Sequence, residues 1–427
     1  PRGSPCRAGS PMQRSDGKLL RFPDKGLPQK RPRDPRIDAF RGVALVMIFI
    51  DHVPGNPYER FTLRNWGFSD AAEAFFVMSG IAAGLAYSGR FSPEARQRNG
   101  LWAAVKPMWL RAWTLYQAQL FLTLWAIAIF AAGAMYYNLP GLLEQINLRQ
   151  VYANTAPALL GIPLMGHQLG YVNILPAYAV LLFVGPAALA LGMRWPMVLA
   201  AASVALWFAA GLWRLNLPAY PNPGGWFFNP FSWQLIFVLG LLTGMAARRG
   251  ERFIRFSPWL FGLSVAYLAL VVAWIFVPSF GAFLNHQMAR LGGLGAPFHI
   301  VSHDKTFVAL PRLLHVLAMV YVLSSLGFVH RLSGHRWAEP LRLMGRQGLL
   351  VFAAGTVMSL AFQVLMAGQG EPLWMAWLLP PLGIAASIAL AWIAEWQGRP
   401  RGSLAARPEV ESQRPGGWGS AHRHPAE

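Results

Sequence analysis

Arg41 and His52 lie 52 − 41 = 11 residues apart in the stretch RIDAFRGVALVMIFIDHVPGNP. On a helix, eleven steps come to roughly three full turns and about 16 Å of rise, so a guanidinium and an imidazole share one face. Asp38 falls near that face one turn before Arg41, and Asp51 precedes His52 at the far end. The chemistry of such a pair is complementary. Histidine exchanges a proton near neutrality, with an ordinary pKa of ~6.5, while arginine keeps its charge and suits phosphates and carboxylates. The plainer alternative is an Asp38–Arg41 pair at a membrane interface with His52 snorkelling at the other.

A second group follows in TLRNWGFSDAAEAFFVMSGIAAGLAY. Asp70 and Glu73 are three apart and share a helical face. Asp70 suits an N-cap as well as it suits catalysis; Glu73, one turn further in, has no such simple duty. Arg64 and Asn65 sit just upstream, in a polar, glycine-containing segment of the first extracytoplasmic loop. Ser79 with Gly80 and Gly84 reads as close helix packing, and no Gly-x-Ser-x-Gly elbow occurs in the chain. A third group, Lys305 followed by Arg312 and His315, places a guanidinium at the start of an apolar stretch, where it needs an anion. Asn173, Gln234 and Gln363 read as interhelical hydrogen-bonding residues. His299 and His303 have i,i+4 spacing without a carboxylate-rich partner motif, so no metal site is expected. Cys6 is the only cysteine, which excludes an intrachain disulfide and a thiol nucleophile inside the membrane.

Such ionisable residues must be carried by elements that tolerate lipid. Of 427 residues, 55% are hydrophobic and only 13% charged, and the mean hydropathy is +0.35. Soluble domains carry roughly 25% charged residues. The reading is all-α: a polytopic membrane helical bundle. About ten stretches suffice to cross a ~30 Å hydrocarbon core: 37–55, 70–88, 109–135, 171–192, 195–214, 231–247, 258–278, 308–328, 343–367 and 373–396. The last is interrupted by Pro380 and Pro381. Segments 136–170, 215–230 and 279–307 are too polar or too rich in turn formers to span.

The formal charge of +19 is spread over tails and alternate loops, which suits orientation in a bilayer better than nucleic-acid binding; no nucleic-acid partner is expected. Arg90, Arg96, Arg98 and Lys106 fill the second loop, Arg248, Arg249, Arg252 and Arg255 the sixth, and Arg331, Arg336, Arg342 and Arg346 the eighth. Odd loops carry few basic residues. The positive-inside rule then predicts both termini in the cytoplasm. Three regions are expected: a basic disordered N-terminal tail over 1–33, a membrane domain over 34–397, and a disordered C-terminal tail over 398–427. No secretory signal opens the chain, and Met12 is a candidate start.

From about residue 33 to 397 the sequence resembles the OpgC proteins, membrane acyltransferases that modify osmoregulated periplasmic glucans, typically with succinyl groups. The resemblance rests on six ordered segments: RDPRIDAFRGVALVMIFIDHVPGNP, TLRNWGFSDAAEAFFVMSG, NILPAYAVLL, FNPFSWQLIFVLG, DKTFVALPRLLHVLAMVYVL and LMGRQGLLVFAAGTVMSL. The opening Asp-x-x-Arg-Gly…His arrangement also looks like the broader acyltransferase-3 superfamily. That resemblance implies roughly ten helices, a catalytic role at His52 and a donor-side role at Arg41. It further implies a multi-pass protein of the bacterial inner membrane, with acyl-CoA (succinyl-CoA by family habit) as donor substrate, no permanently bound cofactor, and a periplasmic glucan as acceptor.

On this expectation Asp51 or Asp70 orients the imidazole, Arg64, Asn65 or Arg312 meets the oxyanion, and Arg312 or Lys305 holds a distal succinyl carboxylate. Glu73 joins the catalytic group, and Asp38 and His315 the substrate-binding one. The rival class is a glycan or lipid transporter without acyl chemistry, which predicts corresponding broken helices in two halves; none is visible. A receptor or scaffold would need neither His52 nor Arg41.

Overall fold

Helix boundaries follow the capping signals in the sequence. The computed structural model describes residues 34–398; the two tails assigned to disorder, and Cys6 and Met12 with them, lie outside the described residues. Helices run in the order α1 Pro35–Asp51, α2 Ala71–Tyr87, α3 Pro93–Tyr136, α4 Arg149–Ala153, α5 Thr155–Gly161, α6 Ile174–Arg194, α7 Pro196–Leu212, α8 Pro230–Arg249, α9 Pro258–Phe276, α10 Pro278–Gly293, α11 Leu310–Ser325, α12 Gly327–Gly334, α13 Glu339–Arg346, α14 Gly348–Gly368 and α15 Leu373–Gln397. The described residues contain no strand, only one isolated antiparallel bridge, Pro218 with Gly225.

Proline in the first turn, where its missing N–H costs nothing, opens α3, α7, α8, α9, α10 and α11. Side chains cap several of these starts: Ser92 for α3, Asn229 for α8 and Ser257 for α9. Gly250 closes α8 in the left-handed conformation, φ 84°, which glycine adopts without a steric penalty.

Each of the ten apolar stretches forms a helix, but not all at spanning length. Among the described residues seven helices are long and apolar enough to cross a membrane: those of α2, α3, α6, α8, α9, α14 and α15. The chain is thus a multi-pass, all-helical membrane protein. The remaining three stretches explain the shortfall from ten. α1 and α7 have 17 residues each, and the 308–328 stretch breaks after Ser325, where α12 leaves α11 at 79°; counted as one, that bent pair makes an eighth candidate. Pro380 and Pro381 do not interrupt the last stretch, because α15 runs through both. α3 is broken at Gly100, φ 76°. Of the segments judged too polar to span, 136–170 holds the short helices α4 and α5 and 279–307 holds most of α10.

The core is centred on α2 and α8. Phe76, Trp233 and Phe237 are fully buried, with the Phe76 and Trp233 rings 4.8 Å apart. Small residues let the two backbones touch. A Cβ on Gly80 or Gly84 would strike the Phe237 or Leu241 carbonyl of α8, and a Cβ on Gly240 or Gly244 would strike the Val77 or Ile81 carbonyl of α2. Lipid tails offer no hydrophobic drive between helices, so close packing of this kind carries the association. The sequence indicated one half of this motif, Gly80 and Gly84; Gly240 and Gly244 are its complement.

Leucine at Gly240 should therefore be severe. Overpacking costs about 1–3 kcal/mol when side chains can yield, and here a backbone carbonyl must yield. Gly240→Leu is expected to lower the thermal midpoint in detergent and the recovery of folded protein. Gly262→Leu on α9, where nothing lies within 4 Å, should change little. Equal behaviour of the two variants would contradict the packing.

Candidate active site

His52 stands just past the end of α1, and its ring is fixed from two sides. Nδ1 meets the Ile48 carbonyl one turn back. A carbonyl oxygen only accepts, so Nδ1 carries the proton and Nε2 is left as the acceptor. The ring also packs edge-on against Tyr171, centroids 4.0 Å apart at 70°. The expectation that Asp51 or Asp70 orients the imidazole is corrected here: the hydrogen-bond partner is a backbone carbonyl. Asp51 instead accepts from the Thr62 hydroxyl at 2.6 Å, and Asp70 is engaged elsewhere.

His52 borders two cavities. One, of about 1080 Å³, opens beside Asp51, Arg64, Asn65, Asp70, Tyr171, Lys305 and Arg312, with Phe68, Phe227 and Phe228 as aromatic walls. The other, of about 20 Å³, is enclosed by α1, α14 and α15 and extends to Met344 of α13, past Val46, Phe49, Thr356 and Ser387. That is room for about one water. Ile48, His52 and Phe352 line both cavities. Arg41 lies in the first half of α1 and turns towards the same helix, α14: a Cβ on Gly348 would come within 2.8 Å of its Nη2. Asp38 is buried beside it, its backbone carbonyl against Gly345 of α13.

On the far wall of the large cavity four charges interlock. Asp70 caps α2 by accepting from Ala72 N at 2.8 Å, and Glu73 returns to Asp70 N at 2.9 Å, a capping box. The same carboxylates hold two cations. Lys305 pairs with Asp70, and Arg312 reaches Glu73 at 2.6 Å and Asp70 at 3.5 Å. Asp70 therefore both caps and pairs. Burial works against its ionisation, but Lys305 and Arg312 outweigh it and hold the carboxyl below the usual carboxylate range. Glu73 is fully buried and supplies the anion that Arg312 needed.

His315, expected among substrate-binding residues, is buried behind this wall rather than among the cavity-lining residues. Its Nδ1 meets the Ser69 hydroxyl at 2.6 Å, and its ring presses so closely on Gly67 that no Cβ fits there. Arg64 and Asn65 sit on a 3-10 turn, Leu63–Asn65. The Asn65 amide donates to the Glu59 carbonyl at 2.6 Å. His303 lines the cavity, in ring contact with Phe68 and Trp274, and burial, then the Arg312 charge, pushes its imidazole down. Sequence reading missed Tyr171, Ser69 and the phenylalanine walls; an aromatic near a span end looks like an interfacial anchor, and nothing local distinguishes these.

A helical membrane protein with an imidazole between a wide polar cavity and a small, water-sized one is thus defined. Residues 33–399 match the family described as OpgC protein, and the chain belongs to that family. No curated relative and no solved structure matches it.

Removing one partner of a buried ion pair costs about 3–5 kcal/mol, because the other charge is left uncompensated. Arg312→Met should accordingly lower thermal stability in detergent strongly. The double variant Arg312→Met with Glu73→Gln should recover part of the loss, and strictly additive losses would contradict a coupled pair.

Proposed function

We propose that the protein is an acyl-CoA-dependent O-acyltransferase of the bacterial inner membrane, moving a succinyl group from the cytoplasmic face to hydroxyls of a periplasmic glucan. In this reading the chain crosses ten times with both termini inside. Family membership supports a glucan-modifying acyltransferase. The observation that carries the mechanism is the place of His52 at the meeting of the two cavities, with Nδ1 turned to the Ile48 carbonyl and no partner for Nε2 among the described residues.

The wide cavity, with its amide, hydroxyl and aromatic lining, suits a sugar. The small cavity of about 20 Å³ holds no more than a water as it stands, so a thioester reaching His52 from the cytoplasmic side requires α1, α14 and α15 to part there. Arg41, beside Gly348 of α14, is the cation assigned to the donor's phosphates. Nε2 takes the proton of a glucan hydroxyl as the oxygen forms a bond to the thioester carbonyl. The carbonyl electrons shift to oxygen, near the Arg64 cation. Collapse breaks the carbon–sulfur bond, and the thiolate leaves with the proton held by His52, giving an ester and free CoA thiol. General-base assistance of this kind typically contributes 10²–10⁴-fold. Glu73 and Asp70 act through Arg312 and Lys305 to hold the cavity wall. Both cations are already paired, so a distal succinyl carboxylate reaches them only by sharing those partners.

The alternative, a glycan transporter, requires a path of glycan width across the bundle. Beside His52 the wide cavity gives way to one of only about 20 Å³, which favours chemistry there over transit of a glycan.

His52→Ala should abolish acylated glucan in cells while membrane abundance stays normal; normal acylation at normal abundance would remove His52 from the mechanism. Arg41→Ala should weaken acyl-CoA binding by the detergent-solubilised protein, and unchanged affinity would leave Arg41 a purely structural residue.

A further inference from the structure

α1 ends without a left-handed glycine, so the carbonyls of its last turn need other partners. Backbone N–H groups serve two of them: His52 N donates to Phe49 O at 3.2 Å and Val53 N to Ile50 O at 3.1 Å. Side chains serve Ile48, through the His52 ring, and the carbonyls just beyond the helix. Asn56, almost fully buried, donates to the Ile50 and Val53 carbonyls at 2.9 and 2.6 Å. The His52 carbonyl itself accepts from Gln363 Nε2 at 2.8 Å. Asn56 is a local cap, four residues from the histidine. Gln363 comes from α14, 311 positions along the chain, and is itself buried.

An amide inside an apolar helix is usually a bridge to whatever helix it meets. Here it meets the peptide of the candidate base. With its backbone carbonyl held by Gln363 and its ring by Ile48, His52 is held at both its main chain and its imidazole. The same helix supplies Phe352, Gly355, Thr356 and Ser359 to the narrow cavity. Gln363 thus ties His52 to the helix that lines the small cavity beside its ring. Resting on the acyltransferase reading above, we propose that Gln363 is a positioning residue for His52, its amide setting the imidazole at the junction of the two cavities. The role needs a donor: glutamine supplies one, and glutamate supplies one only when protonated. Misplacing a reacting group by about 1 Å can cost ~10²-fold in rate.

The test uses the full chain in proteoliposomes with labelled acyl-CoA and glucan, comparing wild type, Gln363→Met and Gln363→Glu. Gln363→Met keeps length and loses the hydrogen bond. Its kcat should fall about 10–100-fold, with both KM values within about twofold and the thermal midpoint near wild type. Gln363→Glu preserves packing, so it remains informative where Gln363→Met fails to fold. Its activity relative to wild type should rise as the pH is lowered and the carboxyl gains its proton. A wild-type kcat in Gln363→Met would overturn the proposal, as would a wild-type pH profile in Gln363→Glu. If the wild-type chain transfers no acyl group, it is the acyltransferase reading that falls.

Discussion

A carboxylate removed from water inside a membrane protein is tolerable only beside a cation with further hydrogen bonds. Glu73 meets that condition through Arg312 and through the backbone of Asp70, and much of the site's architecture follows. The pair ties the first turn of α2 to the first turn of α11. Asp70 extends the tie to Lys305 in the segment before α11. Two pieces of chain far apart in sequence, 70–73 and 305–312, are thereby locked into one wall of the wide cavity. The wall is stiffened from behind, where His315 supports Ser69 and Gly67. Charges arranged in this way need no reorganisation when a substrate arrives, which is the condition under which electrostatic stabilisation is most effective.

The opposite wall is built differently. α1 brings one ionisable side chain to the cavity junction and surrounds it with carbonyl caps and aromatic contact, not with countercharge. His52 has a protonated Nδ1, and its Nε2 has no carboxylate competitor within the contacts the structure describes. The two walls thus differ in kind: a charged frame at the starts of α2 and α11, and an imidazole held by a carbonyl at the end of α1.

Much of this was legible in the residues. Apolar runs mark helices because lipid admits little else, and all ten runs are helical. The one-turn spacing of Asp70 and Glu73, and the need of Arg312 for an anion, each pointed to a partner without naming it. Naming it was out of reach, because the two ends of the Arg312–Glu73 bond are 239 positions apart and periodicity carries no information about which helix faces which. For the same reason Gly80 and Gly84 announced a close packing but not Gly240 and Gly244 as its other half. The break between α11 and α12 has no proline at the bend to signal it. The carbonyl partner of His52 was invisible because any histidine four residues after a helical carbonyl has that option, and only the fold decides whether a carboxylate displaces it.

The central claim is that an acyl group crosses the bundle at His52 while its acceptor stays outside. The most direct measurement uses proteoliposomes with the protein in one orientation, labelled acyl-CoA trapped in the lumen on the Arg41 side, and glucan outside. The account predicts label covalently on the external glucan, with CoA thiol accumulating inside. Label on glucan only when donor and acceptor share a compartment, or glucan moving across without acquiring label, would contradict it.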